Sequence, residues 1–194
     1  MNVLNLFNTH KVVEVNLSTG LRTGHMLAQH KYEYAKNGAV GTVDNGCFFR
    51  MSKANPDQVV LADNSNAVGD YFLHYTEELF TTGLVDSFKY FAVECDEEVI
   101  GATSYYYCYP RCIALYTGDT FTTDNYNVGS TTLANAKFAL VGPKGIVTLY
   151  DSIPASISGG YTGPLFQAVK STLPDGTDAV QLTVLDTKCT IASA

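Results

Sequence analysis

Charge is scarce in this chain. Only 16% of its 194 residues are Asp, Glu, Lys or Arg, and the 12 basic residues are outnumbered by 19 acidic ones, for a net charge of -7. No basic patch is visible, which argues against nucleic acid as a main partner, because phosphate binding depends on clustered Lys and Arg. No apolar run approaches the roughly 20 residues needed to cross a bilayer, so no membrane partner is expected. The N-terminal segment Met1–Phe7 is apolar but short, without the basic start or small-residue cleavage site of a secretion signal. The expectation is a protein made and folded in a cytoplasm. Its five cysteines, Cys47, Cys95, Cys108, Cys112 and Cys189, are then reduced thiols, and the acceptor pattern Asn16-Leu17-Ser18 carries no glycan.

What is plentiful is apolar and aromatic surface: 46% of residues are hydrophobic and 12% aromatic, too much for a disordered chain. A domain of this size buries roughly 70% of its unfolded surface and needs neither disulfide nor metal to fold. Thr occurs 21 times, Tyr 13, Phe 10 and Gly 16, the residues of pleated surfaces and of the turns between them. In Ala179–Leu185, Val180, Leu182 and Val184 fall on one face, with Gln181 and Thr183 on the other. Lys137–Val141 and Ile146–Tyr150 flank Gly142-Pro143-Lys144-Gly145, and Phe166–Lys170 and Asp178–Asp186 flank a loop with Pro174-Asp175-Gly176; each reads as a hairpin. Ser87–Glu94 reads as a further strand. A helical turn or two is expected at Thr76–Phe80, cut short by Gly83.

The fold class is therefore mainly β, an antiparallel sandwich or barrel with one or two short helical turns. Residues 1–18 read as an N-terminal arm or edge strand and 19–194 as a single β domain. Asn55–Asp70 and Asp151–Gly163 read as the least regular stretches, the second setting off a C-terminal hairpin over 164–188.

Chemistry-bearing constellations are weak. Cys108 and Cys112 are four apart around Pro110, but no second pair completes a zinc site. His25 and His30 are five apart, which suits neither a helical nor a strand-borne metal site. The acidic run Glu94–Glu98 lacks the alternation and Gly of a calcium loop and reads as a solvated loop. There is no Gly-x-Ser-x-Gly elbow and no phosphate loop, and nothing selects a catalytic pair among the acids. No catalytic residue, metal or cofactor is expected, and the chain reads as a non-enzyme. The unusual segment is Tyr105-Tyr106-Tyr107-Cys108-Tyr109. Neighbouring strand residues point to opposite faces, so at least two rings are expected on an outer surface or under another chain.

One stretch carries a family resemblance. Arg111-Cys112-Ile113-Ala114-Leu115-Tyr116-Thr117-Gly118-Asp119-Thr120-Phe121-Thr122-Thr123 resembles the strand, Gly-Asp turn and Thr-rich strand of capsid-decoration (cement) proteins of tailed bacteriophages. The layout from Thr19 to Leu185 is loosely similar as well. The resemblance implies a non-enzymatic virion protein, made in the host cytoplasm, that binds the outside of the phage head and stabilises contacts between major capsid subunits. The major capsid protein is then the partner, with a second copy of the chain as a further one. Contact residues are expected at Val3, Leu4, Leu6 and Phe7 of the N-terminal arm and at Tyr105 and Tyr107. The alternatives are another virion part (head fiber, neck or tail) or a carbohydrate-binding β module that uses the exposed tyrosines and the 151–163 loop.

Overall fold

Phe48 and Phe49 are neighbours on one strand, and both are fully buried. Successive strand residues point to opposite faces, so a strand that buries two in a row has no solvent side. The same holds for Phe72 and Leu73, and for the run Cys112-Ile113-Ala114. These segments are the middle layer of the molecule.

The structure is a computed structural model that describes residues 11, 13–15, 26–27, 30–36, 42–63, 65–75, 92–94, 96–174 and 176–194. The strands in chain order begin with β1 (Val13–Val15), β2 (Met26–Leu27), β3 (Tyr32–Lys36), β4 (Thr42–Asp44), β5 (Phe48–Ser52) and β6 (Val59–Leu61). They continue with β7 (Ala67–His74), β8 (Ala92–Glu94), β9 (Asp96–Ile100), β10 (Thr103–Cys108), β11 (Cys112–Ala114) and β12 (Thr120–Thr123). The last are β13 (Tyr126–Val128), β14 (Phe138–Val141), β15 (Val147–Tyr150), β16 (Ser156–Ile157), β17 (Tyr161–Thr172) and β18 (Asp178–Ser193). Short 3-10 turns stand at Leu133–Asn135 and Pro143–Gly145.

The largest sheet runs β1-β12-β18-β17-β14-β15-β13, with β16 beside β18; the middle sheet runs β2-β11-β7-β5-β6. A third sheet, β3-β10-β9, and the pair β4-β8 complete the set. Phe48, Leu73 and Ile113 pack on the inner face of the largest sheet against Phe121, Val147, Phe166 and Leu182. Phe49, Phe72, Cys112 and Ala114 pack the other way, with Tyr106 and Cys108 of the third sheet and with Val43. The protein is mainly β, as expected, but it adds a layer to a two-sheet sandwich. Most pairings are antiparallel. The exceptions, β13 with β15 and β16 with β18, are strands that return to a sheet after a crossover instead of a hairpin.

Both expected hairpins are present, β14–β15 and β17–β18. The alternation at Val180, Leu182 and Val184 places all three in the first core. The C-terminal hairpin is not peripheral, since β17 also pairs with β14 and β18 with β12. Asn55–Asp70, read as an irregular stretch, contains β6 and the start of β7. Asp151–Gly163 contains β16 and the start of β17. The acidic run, read as a loop, is in part the strand β9; charge at a sheet edge deters pairing with other chains. The helical turn expected at Thr76–Phe80 lies outside the described residues, as do residues 1–10.

Turns position these layers. Asp119, almost fully buried, accepts the Tyr116 N–H at 2.8 Å on Oδ2, while its own N–H donates to the Tyr116 carbonyl at 2.9 Å. Gly118 takes φ +94, and its N–H reaches the Val184 carbonyl at 2.8 Å. The Gly-Asp turn thus links β11 of the middle sheet to β12 of the largest one. At Gly145, φ +69, an added Cβ would lie 2.4 Å from the Phe48 carbonyl oxygen, so only glycine lets the β14–β15 turn rest on β5.

Phe48 belongs to an aromatic triad in the first core, with ring centroids 5.7 Å from Phe166 and 6.3 Å from Phe121. Phe48→Ala is expected to cost about 3–5 kcal/mol in urea unfolding. Val169→Ala, on the outer face of β17, should stay within about 0.5 kcal/mol of the parent.

Candidate functional site

The third sheet resolves the tyrosine run by alternation. Tyr106 and Cys108 point into the second core, while Tyr105 and Tyr107 lie half-exposed on the opposite face. Their rings are stacked, centroids 5.7 Å apart and planes 7° from parallel. The Lys31 ammonium sits 3.6 Å from the centre of the Tyr107 ring and also pairs with Glu98. Tyr107 therefore stacks with one ring and lies under a cation, an arrangement in which cation–π attraction and the ion pair act on the same lysine. Beside this stack the β9–β10 hairpin turns at Gly101 and Ala102, exposing Val99 at 65% and Ile100 at 56%; Tyr109 follows the strand at 52% exposure. The two contact residues expected here, Tyr105 and Tyr107, are thus brought together on one surface. Val3, Leu4, Leu6 and Phe7 lie outside the described residues.

A second exposed apolar patch lies on the far layer. On β17 and β18 Phe166, Ala168 and Val184 point inward, which turns Val169 (50% exposed) and Leu185 (41% exposed) outward. They line a shallow groove of about 600 Å³ with Ala134, Phe138 and Gln167. No periodicity argument on β17 alone marks this patch, because Val169 in isolation reads as one more core valine.

Between the layers is a buried polar cluster around His74. Its Nδ1–H donates to the Arg111 carbonyl at 2.9 Å, and Nε2 is buried without a hydrogen-bond partner. The Phe49 ring meets the imidazole edge-on at 6.0 Å. Burial pushes the imidazole pKa down; the Arg111 and Val43 carbonyls and the Asp44 charge oppose that shift without cancelling it. Nearby, Asn125 donates from Nδ2 to the Asn45 carbonyl at 2.8 Å and to Cys47 Sγ at 3.5 Å. Burial pushes the Cys47 thiol up to about 12, against the weaker pull of that Asn125 bond, and pushes Cys112 up as well. Neutral thiols of this kind are poor nucleophiles and poor metal ligands. Cys108 and Cys112 are both buried in the second core, Cys112 with Sγ 3.6 Å from the Pro110 carbonyl. Among the described residues no group of three or more His, Cys, Asp or Glu is arranged to hold a metal ion. His74 was not singled out by sequence spacing, since a lone His between Leu73 and Tyr75 carries no signal.

No family model, no curated protein and no solved structure matches the chain.

The buried imidazole gives a pH dependence with a definite sign. An unfolded histidine takes its proton near 6.5, whereas the folded one resists protonation to lower pH. Its contribution is complete above pH 6.5 and is lost as pH falls, by up to about 1.4 kcal/mol per pH unit. Urea midpoints measured from pH 7.5 to 5 should fall along this slope. His74→Gln should start lower at pH 7.5 and show a shallower fall across the same range.

Proposed function

We propose that this protein is a non-enzymatic structural component of a phage virion that binds the outside of the capsid shell and bridges neighbouring major capsid subunits. The observation that carries the reading is the placement of exposed apolar side chains on both outer layers of a three-layer β body. Ile100, Tyr105, Tyr107 and Tyr109 lie on one outer layer, where Ile100 shares the face of Tyr105 and Tyr107, and Val169 and Leu185 lie on the other. Contiguous exposed apolar surface marks protein contacts, and a bridging protein needs at least two such surfaces facing different ways. Tyrosine suits this role, because it supplies a large apolar area with little side-chain entropy to lose. The Gly-Asp turn that carries the resemblance to cement proteins ties two layers together, as a part under mechanical tension needs. Binding to the assembled shell stabilises it by mass action, and the many equivalent sites multiply a modest affinity per copy.

The carbohydrate-binding alternative fits the tyrosine surface less well. A sugar ring needs an open aromatic face, and the Tyr107 ring is already stacked with Tyr105 and has the Lys31 ammonium over it.

Quantitative mass spectrometry of purified particles should give a copy number in simple ratio to the major capsid protein. Absence from particles would contradict the proposal, and a handful of copies would move the protein to the neck, tail or fiber. Tyr105→Ala/Tyr107→Ala should weaken attachment to particles stripped of the protein by about tenfold or more per hot-spot ring. Its urea midpoint should stay close to the parent's, since both rings are on the solvent side of β10.

A further inference from the structure

The sandwich formed by the largest and middle sheets is open at one end, and the opening is a groove of about 580 Å³. One wall comes from β5, β7 and the segment after β6, the other from the β14–β15 turn and the segment linking β16 to β17. Its chemistry departs from the rest of the chain. In a protein of net charge -7, this groove is lined by two cations, Arg50 and Lys53, and one acid, Asp63. The acid already has a structural task, accepting the Lys144 N–H on Oδ2 at 2.9 Å.

Arg50 is held in place from behind. Its Nε–H donates to the Gly69 carbonyl at 3.1 Å, and its guanidinium lies 4.7 Å from the centre of the Tyr71 ring. Those contacts fix the guanidinium plane through Nε and one ring face and leave the terminal nitrogens to meet a planar anion two-pronged. Tyr71 is itself anchored, because its hydroxyl donates to the Thr162 carbonyl across the mouth at 2.9 Å. Tyr161 completes the floor, donating to the Pro164 carbonyl at 2.8 Å while its oxygen accepts the Val141 N–H at 3.2 Å. Both rings converge on Gly163, where an added Cβ would stand 2.7 Å from the Tyr161 hydroxyl and 2.7 Å from the Tyr71 ring. The absent side chain is what lets the two tyrosines meet.

The remaining lining is mixed: Pro143 and Ile157 are apolar, and Ser65, Ser158 and Thr162 are polar. A bare inorganic anion would use the cations and waste the apolar and hydroxyl surface. A neutral sugar would leave the ordered guanidinium without a partner. We propose that this groove binds a carboxylate-bearing pyranose, an acidic sugar unit of a glycan, with its carboxylate on Arg50, Lys53 as a flanking charge, and its ring against Pro143 and Ile157. The groove's volume is in the range of small-ligand sites, and its open shape admits a unit within a longer chain. This site is on a different part of the molecule from the tyrosine surface of β10, and it stands whether or not the protein is part of a virion.

The test uses the isolated full-length protein and backbone-amide NMR with three small compounds. D-glucuronate carries both carboxylate and pyranose, D-glucose the ring alone and acetate the charge alone. Glucuronate should shift amides at Gly142, Ser158, Gly160 and Thr162 with a dissociation constant of roughly 1–10 mM, as expected of one charge-assisted fork and a partly covered ring. Glucose and acetate should each bind about tenfold more weakly. Arg50→Gln should reduce glucuronate affinity about tenfold or more, and Lys53→Gln, at an exposed position, about two- to threefold. Equal binding of acetate and glucuronate would overturn the sugar assignment. Shifts that avoid the groove, or none with glucuronate, would overturn the site. If Arg50→Gln perturbs the fold, the Lys53→Gln result and the three-compound comparison decide alone.

Discussion

The structure depends on one constraint, that the middle sheet is covered on both faces over Phe48–Phe49, Phe72–His74 and Cys112–Ala114. Phe48, Leu73 and Ile113 close the core shared with the largest sheet, and Phe49, Phe72 and Cys112 close the core shared with the third. Each of β5, β7 and β11 therefore contributes to two hydrophobic cores at once. A change of register by one residue would exchange every one of these side chains between the two cores, whose partners differ in size and chemistry. The aromatic contacts of Phe48 with Phe121 and Phe166, and of Phe49 with Tyr32 and His74, fix that register from both sides. The outer layers inherit their positions from it.

This constraint also explains what was legible in the sequence. Strands with one wet face announce themselves, as at Val180, Leu182 and Val184, and hairpins with Pro-Gly turns are equally plain. The buried segments of the middle-layer strands do not alternate, because both of their faces are apolar there. Ala67–His74 carries Gly69 and Asp70 in its first half and closes with a dense apolar run, and so reads as the end of an irregular stretch. The edge strand Asp96–Ile100 hides behind its acidic residues, which suit an unpaired edge and a loop alike. For the tyrosine run, alternation required some rings to point out, but only the partner layer decides that Tyr106 turns inward and that Tyr105 and Tyr107 turn outward. Of the mouth groove, only the wall within 151–163 was legible in the sequence, as part of the carbohydrate alternative. Arg50, Tyr71 and Tyr161 come from distant segments that only the sheet topology brings together.

Function follows from how polar and apolar groups are divided between inside and outside. The polar groups that are buried serve the fold: Asp119 closes a turn, Asn125 ties two loops, and the Cys47 and Cys112 thiols are held neutral by burial. The groups left at the surface are those suited to contact. Stacked tyrosines and aliphatic side chains occupy one outer layer, an aliphatic patch the other, and an ordered guanidinium the groove at the mouth of the sandwich. Exposed apolar surfaces on opposite layers are what the bridging role proposed for it requires.

The central claim, that a doubly covered middle sheet holds the other layers in place, is tested most directly by native-state amide hydrogen exchange. The account predicts that hydrogen-bonded amides of Phe48–Ser52, Phe72–His74 and Cys112–Ala114 exchange only through global unfolding, while those of β9 and β10 open at lower free energy. Exchange in β5, β7 and β11 as fast as in β9 and β10 would contradict it.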